Sequence, residues 1–111
     1  MSDELRKFTG VDRIMHEPAR LLIVSILNAV EKVDFVFLLY ETGLTKGNLS
    51  THLAKLERAG YVKIEKTFRG KIPQTLISLT GEGKASFESY RQQLSEVVNK
   101  LAKDQTGRTA D

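Results

Sequence analysis

Two glycines, Gly43 and Gly60, frame the segment LTKGNLSTHLAKLERA and limit what this chain can become more than any other residues. Thr45 is a helix N-cap, because its hydroxyl can accept one of the unpaired N–H groups of a first turn. Leu49, Leu53 and Leu56 then recur at spacings of four and three, which is one narrow apolar stripe on a helix. Gly60 ends that helix, and Gly43 supplies the left-handed stop of a helix before it. That earlier helix starts at a second cap, Asp34, runs to about Thr42 and turns Phe35, Leu38 and Leu39 inward.

Two helices joined by a Gly-containing turn of about three residues are a helix-turn-helix. Upstream, Pro18 fits the first position of a further helix, with Glu17 at its positive end. Ala19, Leu22, Ile23, Ile26, Leu27 and Val30 form its expected buried stripe, with Leu21 and Val24 on a second apolar face. Residues 31–33 read as a connector. Before Pro18, the apolar groups Leu5, Phe8, Val11, Ile14 and Met15 suit a short helix or a packed arm. After Gly60, Val62 and Ile64 alternate with Lys63 and Glu65, and residues 74–80 carry Leu76, Ile77 and Leu79. The two runs predict a hairpin with 68–73 as its loop. Thr80 caps a last helix with Phe87, Tyr90, Leu94, Val97 and Leu101 at alternating spacings of three and four, the seam of a coiled-coil-like partner.

The fold class expected is therefore mainly α with a small β-hairpin (α+β). A length of 111 residues allows one such domain, drawn here as residues 1–103, with 104–111 as a frayed tail. With 41% hydrophobic and 28% charged residues and no repeat or low-complexity run, the composition is globular. No apolar run approaches the roughly 20 residues of a membrane span, and the acidic start has no signal-peptide pattern. We therefore expect a cytoplasmic protein without a membrane partner. The absence of Cys excludes disulfides and thiolate metal sites. His16 and His52 are the only histidines and have no ligand-spaced cluster, so neither a metal nor another cofactor is expected.

Charge is distributed unevenly. Seven Lys and Arg face two acids between Thr45 and Pro73, which puts +5 there against +3 for the whole chain. A patch of that kind attracts phosphate, whereas the total charge is too mild to imply a nucleic-acid partner. With the three leucines inward, Gly47, Thr51 and Arg58 lie opposite the core, flanked by Asn48 and Lys55, with Ser50 on the other flank. A helix fits the B-DNA major groove, where Asn pairs with adenine, Lys reaches guanine, and Ser or Thr serves bases or phosphates. Gly47 permits close backbone approach. Arg69, Gly70 and Lys71 place two cations about a flexible hairpin tip suited to a phosphate backbone or a minor groove. The bland use of the same residues is a solvated helix face and a soluble turn; their order along the chain favours DNA.

The run from His16 to Thr80, about 60% of the chain, resembles the winged helix-turn-helix regulators of the MarR and ArsR type, the match being carried by HEPARLLIVSIL, LTKGNLSTHLAKLERAGYVKIEK and a wing followed by LISLTGEGKASFESY. The resemblance implies N- and C-terminal dimerisation helices and a homodimeric repressor on double-stranded DNA. Its 45–59 helix would enter the major groove of a pseudo-palindromic operator, with the 68–73 wing on the backbone or minor groove. Carried over by position, Thr45, Lys46, Asn48, Ser50, Thr51, His52 and Lys55 would face DNA, with Arg69 and Lys71 on the wing. Helical geometry sets His52 toward the core edge of that face. Leu5, Phe8, Phe87, Tyr90, Leu94, Val97, Val98 and Leu101 would form the dimer interface. The chain departs from metal-sensing ArsR members in having no cysteine in DFVFLLYETG.

Three rival classes stand beside this reading. An enzyme needs a nucleophile and base, paired acids or a phosphate loop, and none stands at recognisable spacing. Asp12 and Glu17 read as surface or helix-start acids, and the Gly-x-Gly after Thr80 as part of a helix start. A winged helix used as a protein-interaction module remains the alternative, with Phe68 and Ile72 as its apolar anchors. An unidentified small-molecule effector would lodge among Phe35, Phe37, Tyr40, Phe87 and Tyr90, although such aromatics more commonly serve as core or interface.

Overall fold

The computed structural model describes residues 10–109, with side chains described through residue 103. Leu5 and Phe8 lie outside the described residues. Among the described residues, four helices and three strands follow one another as α1 (Pro18–Ala29), β1 (Lys32–Asp34), α2 (Phe35–Thr42), α3 (Lys46–Arg58), β2 (Val62–Arg69), β3 (Ile72–Leu79) and α4 (Gly81–Thr109). This is an α+β winged helix.

Local chemistry sets the boundaries. The Glu17 carboxylate accepts from the Arg20 N–H at 2.7 Å, and Pro18 occupies the first helical position without an N–H to satisfy. Asp34 caps α2 through Phe37 N at 2.7 Å, and Thr45 caps α3 through Asn48 N at 3.1 Å. Gly43 and Gly60 take left-handed φ values of 68° and 82°, where a side chain would be strained. The Thr80 hydroxyl accepts from Gly83 N at 2.9 Å and donates to Gly60 O at 2.6 Å, so one side chain joins the exit of α3 to the start of α4.

Three expectations are corrected. First, residues 32–34 are a strand: β1 pairs antiparallel with β3, Val33 opposite Ile77, giving a three-stranded sheet in the order β1-β3-β2. Three residues are too few for alternation to announce a strand. Second, the hairpin is tighter than a 68–73 loop. Strand pairing continues to Arg69 opposite Ile72, leaving Gly70 and Lys71 as the turn, with Gly70 at φ 65°. Pro73 fits in β3 because β1 reaches only Leu76, and toward the tip β3 has one neighbouring strand. Third, the buried stripe of α1 is shifted to Arg20, Ile23, Val24 and Leu27, and Leu22 is 43% exposed. A helix apolar on two faces reads in either register.

The core joins Val11, Met15, Ile23, Val24, Leu27, Val33, Leu38, Leu49, Leu53, Leu56, Val62, Ile77 and Tyr90. It sits between α1, the helix-turn-helix and the inner face of the sheet, and it leaves the outer face of α3 in solvent. The helix α4 leaves this body and accounts for a molecule 67 Å long and 23 Å wide. Its backbone is helical through Thr109, past the boundary drawn at residue 103. No helix among the described residues is long and apolar enough to cross a membrane.

Candidate nucleic-acid interface

Burial of Leu49, Leu53 and Leu56 fixes the rotation of α3 and turns Lys46, Gly47, Asn48, Ser50, Thr51, Lys55 and Arg58 into solvent, with Thr45 exposed at the cap. The Thr51 hydroxyl donates back to Gly47 O at 2.9 Å, which holds its rotamer and leaves the oxygen free to accept. Among the described residues, no acid lies within ion-pair distance of Lys46, Lys55, Arg58, Lys66, Arg69 or Lys71. Lys63 is different. It lies 3.2 Å from Glu65, which also approaches Lys32 at 3.6 Å. The hydrogen bond from Lys63, with the charge of Lys32 behind it, holds the Glu65 carboxyl below its ordinary range.

The wing cations Arg69 and Lys71 are exposed on either side of Gly70, and Phe68 and Ile72 are exposed beside them. Arg69 also borders a cavity of about 380 Å³ formed with Asp34, Phe35, Val36, Ile72, Pro73, Gln74 and Thr75. A second hollow of about 340 Å³ separates α3 from the sheet, lined by Ser50, Leu53, Ala54 and Glu57 on one side and Phe35, Ile64, Lys66 and Thr75 on the other.

His52 is turned away from the exposed face. Its side chain is 20% exposed, and Nδ1 lies 3.2 Å from Arg20 Nη1 and 3.7 Å from Glu17 Oε2. A guanidinium has no acceptor, so Nδ1 accepts from Arg20 and the neutral ring carries its proton on Nε2. Arg20 is 8% exposed, a cation within the apolar stripe of α1. Its Nε donates to Ile14 O at 2.7 Å and its Nη2 to Arg13 O at 3.4 Å. A cation at i, with Ile23 and Leu27 at i+3 and i+7, is the one sequence signal that could have marked it.

Asp12 is more than a surface acid. Its Oδ1 accepts from Ile14 N at 2.9 Å and Met15 N at 3.2 Å, and its Oδ2 accepts from the Tyr61 hydroxyl. Burial first, and then donation to Asp12, push the Tyr61 phenol above its usual value. Residues 10–17 are thereby tied to α1, α3 and the exit of α3.

The candidate dimer residues separate along α4. Tyr90 is 4% exposed, packed in the core with its hydroxyl 2.8 Å from His16 Nδ1. Phe87 and Leu94 are half-buried against the same core, and Val98 and Leu101 are exposed. The aromatic set read as an effector pocket is likewise divided: Phe35 borders the hollows near the sheet, Phe37 and Tyr40 are exposed, and Tyr90 is enclosed. Among the described residues no three His, Asp or Glu side chains converge in a metal-holding group.

A capped helix with a polar and cationic outer face, followed by a cation-tipped hairpin, defines a helix-turn-helix of the winged class. The chain belongs to the winged helix DNA-binding domain family, whose model matches residues 19–98. It is 31% identical over 90 residues to the uncharacterised protein MJ0432 of Methanocaldococcus jannaschii, spanning 80% of this chain and 97% of that one. The structure of a transcriptional regulator homologue from Pyrococcus horikoshii OT3 superposes with a TM-score of 0.82 at 30% identity, covering 90% of this chain and 98% of the other. A MarR-family transcriptional regulator from Silicibacter pomeroyi shares the fold at a TM-score of 0.62 and 19% identity, covering 88% of this chain and 64% of its own.

Proposed function

We propose that the protein is a homodimeric, sequence-specific DNA-binding regulator acting in the cytoplasm as a repressor, and not an enzyme. The helix α3 enters the major groove of each half of a pseudo-palindromic operator, and the wing follows the backbone or enters the minor groove. The observation that carries this is the outer face of α3, where Asn48, Thr51, Lys55 and Arg58 are exposed and, among the described residues, no acid pairs with the two cations. Asn48 and Thr51 have the groups for base edges, and Arg69 and Lys71 have those for phosphates. Dimerisation through α4 would cover Val98 and Leu101 and set half-sites about 34–36 Å apart.

Selection from a random duplex library, followed by salt titration of the enriched DNA, tests the proposal. A two-fold symmetric motif with a steep salt slope is expected. Arg69→Ala and Lys71→Ala should weaken binding to every duplex alike, whereas Asn48→Ala and Thr51→Ala should relax preference at defined positions. The exposed Phe68 and Ile72 favour the second reading, a docking module for another protein, and an unenriched library would move the weight there.

A further inference from the structure

The cations so far assigned to DNA lie on the outer face of α3 and on the wing. Two of them, Lys55 and Arg58, also border a hollow on the flank away from the sheet. Arg13, Ile14, Arg20, Lys55, Arg58 and Ala59 enclose an open concavity of about 610 Å³ between residues 10–17 and the C-terminal half of α3. Four of its six lining residues are basic and none is acidic.

We propose that this concavity is a second phosphate seat, in which Arg13, with Lys55 and Arg58, grips the DNA strand on the groove wall opposite the wing. The inference rests on the major-groove placement of α3 proposed above. An α-helix advances 100° per residue, so with Leu49, Leu53 and Leu56 inward, Ser50, Ala54 and Glu57 face the sheet while Lys55, Arg58 and Ala59 turn toward residues 10–17. A helix about 10–12 Å across in a groove about 12 Å wide has a phosphate wall within reach of each flank. The sheet flank offers Lys66, with Arg69 and Lys71 beyond it. On the other flank, Arg13 is an exposed cation that does not come from α3, whereas Arg20 of α1 is buried behind it.

Arg13 is also held in place. Its carbonyl accepts from Arg20, the next carbonyl accepts a shorter bond from the same guanidinium, and the turn is closed by Asp12. Arg20 is therefore a positioning residue: its donors are engaged by Ile14, Arg13 and His52, and its side chain is enclosed. The two acids within residues 10–17 are themselves occupied. Glu17 caps α1 beside Arg20 at 3.9 Å, and Asp12 takes the Tyr61 hydroxyl. Arg13, Lys55 and Arg58 present three exposed positive charges to an incoming phosphodiester on a pre-ordered backbone.

Arg13→Gln tests this, because it removes the charge and keeps the carbonyl that Arg20 holds. The full chain would be titrated with its enriched duplex across a salt series, beside Arg69→Gln, and each complex would be mapped by phosphate-ethylation interference. In Arg13→Gln the salt slope should fall by about one per bound protomer, and affinity near 0.15 M salt by about fivefold per protomer. Interference should vanish at one phosphate per half-site, across the groove from those lost in Arg69→Gln. An unchanged slope with the full interference pattern, or loss on the wing's strand instead, overturns the seat while leaving the functional reading intact. Wild-type protein that binds no duplex overturns that reading itself. Should Arg13→Gln fail to fold, Arg58→Gln must lose the same phosphate, and retention of that phosphate overturns the proposal equally.

Discussion

Gly83 permits a sharp test of the packing at the base of α4. A Cβ built there would lie 2.1 Å from Tyr61 O and 2.9 Å from Tyr61 C, both backbone atoms that cannot swing aside as a side chain would. Ordinary carbon contacts begin near 3.5 Å. To accept Ala, the first turn of α4 must therefore move away from the exit of α3 by about an ångström. That movement strains the 3.0 Å bond from Thr80 N to the same Tyr61 oxygen. Overpacking costs about 1–3 kcal/mol and a weakened hydrogen bond about 0.5–1.5 kcal/mol, against a helix-propensity gain of about 1 kcal/mol. Gly83→Ala should destabilise by about 2–3 kcal/mol, which lowers Tm by roughly 10–20 °C for a domain of this size. Gly81→Ala is the internal control, since nothing lies within 4 Å of the Cβ it would add. It should be neutral or stabilising by about 0.5 kcal/mol through the unfolded chain. Thermal unfolding at one matched protein concentration decides. If Gly83→Ala melts within about 2 °C of wild type, or Gly81→Ala falls as far, the close approach described for Gly83 is wrong.

Arg20→Met should destabilise by about 2 kcal/mol or more in urea unfolding, because Ile14 O, Arg13 O and His52 lose their common donor; a neutral result would deny Arg20 its role in holding residues 10–17. Burial alone would raise the Glu17 carboxyl, but hydrogen bonds from the backbone N–H groups of Arg20 and Ala19, with the charge of Arg20, outweigh it and lower the pKa from the ordinary 4.5. A depressed carboxylate stabilises the fold above pH 4.5, and the stabilisation is lost as pH falls through the folded-state value. Glu17→Gln should therefore flatten the acid limb of stability below that pH, read from urea midpoints across pH 3–6; an unaltered limb would remove Glu17 from it. Val98→Asp with Leu101→Asp should give a monomer by light scattering at micromolar concentration, since both side chains are exposed on the outer part of α4. A dimer of unchanged mass would place the interface elsewhere.

The helix-turn-helix was legible in sequence because its punctuation is local. Thr45, Gly43 and Gly60 act on backbone groups within a few residues, and Leu49, Leu53 and Leu56 leave only one way to face α3 inward. What depended on tertiary partners was not legible. β1 is a strand only because Leu76–Ser78 run beside it, and α1 buries a stripe one position away from the expected one, with the Arg20 side chain inside it. The types of residue on the exposed face of α3 could be read directly. The engagement of His52 could not, because it depends on Arg20, and the nearness of Arg13 to Lys55 could not, because it depends on how residues 10–17 fold back. Tyr90 read as an interface residue from its spacing, yet His16 and the core already enclose it.

The contact between Gly83 and Tyr61 also works as a pivot. The 29 residues of α4 form an arm about 43 Å long, at 1.5 Å per residue. An angular change of about 5° at its base therefore sweeps the far end by about 4 Å, more than the roughly 3.4 Å between successive base pairs. A protomer joined to its twin along that arm would carry such an error straight into the spacing of its two reading heads. The absent methyl at Gly83 lets the base of α4 close on Tyr61, and the Thr80 hydroxyl bridges Gly60 and Gly83, so the angle at which the arm leaves the body is held from two sides.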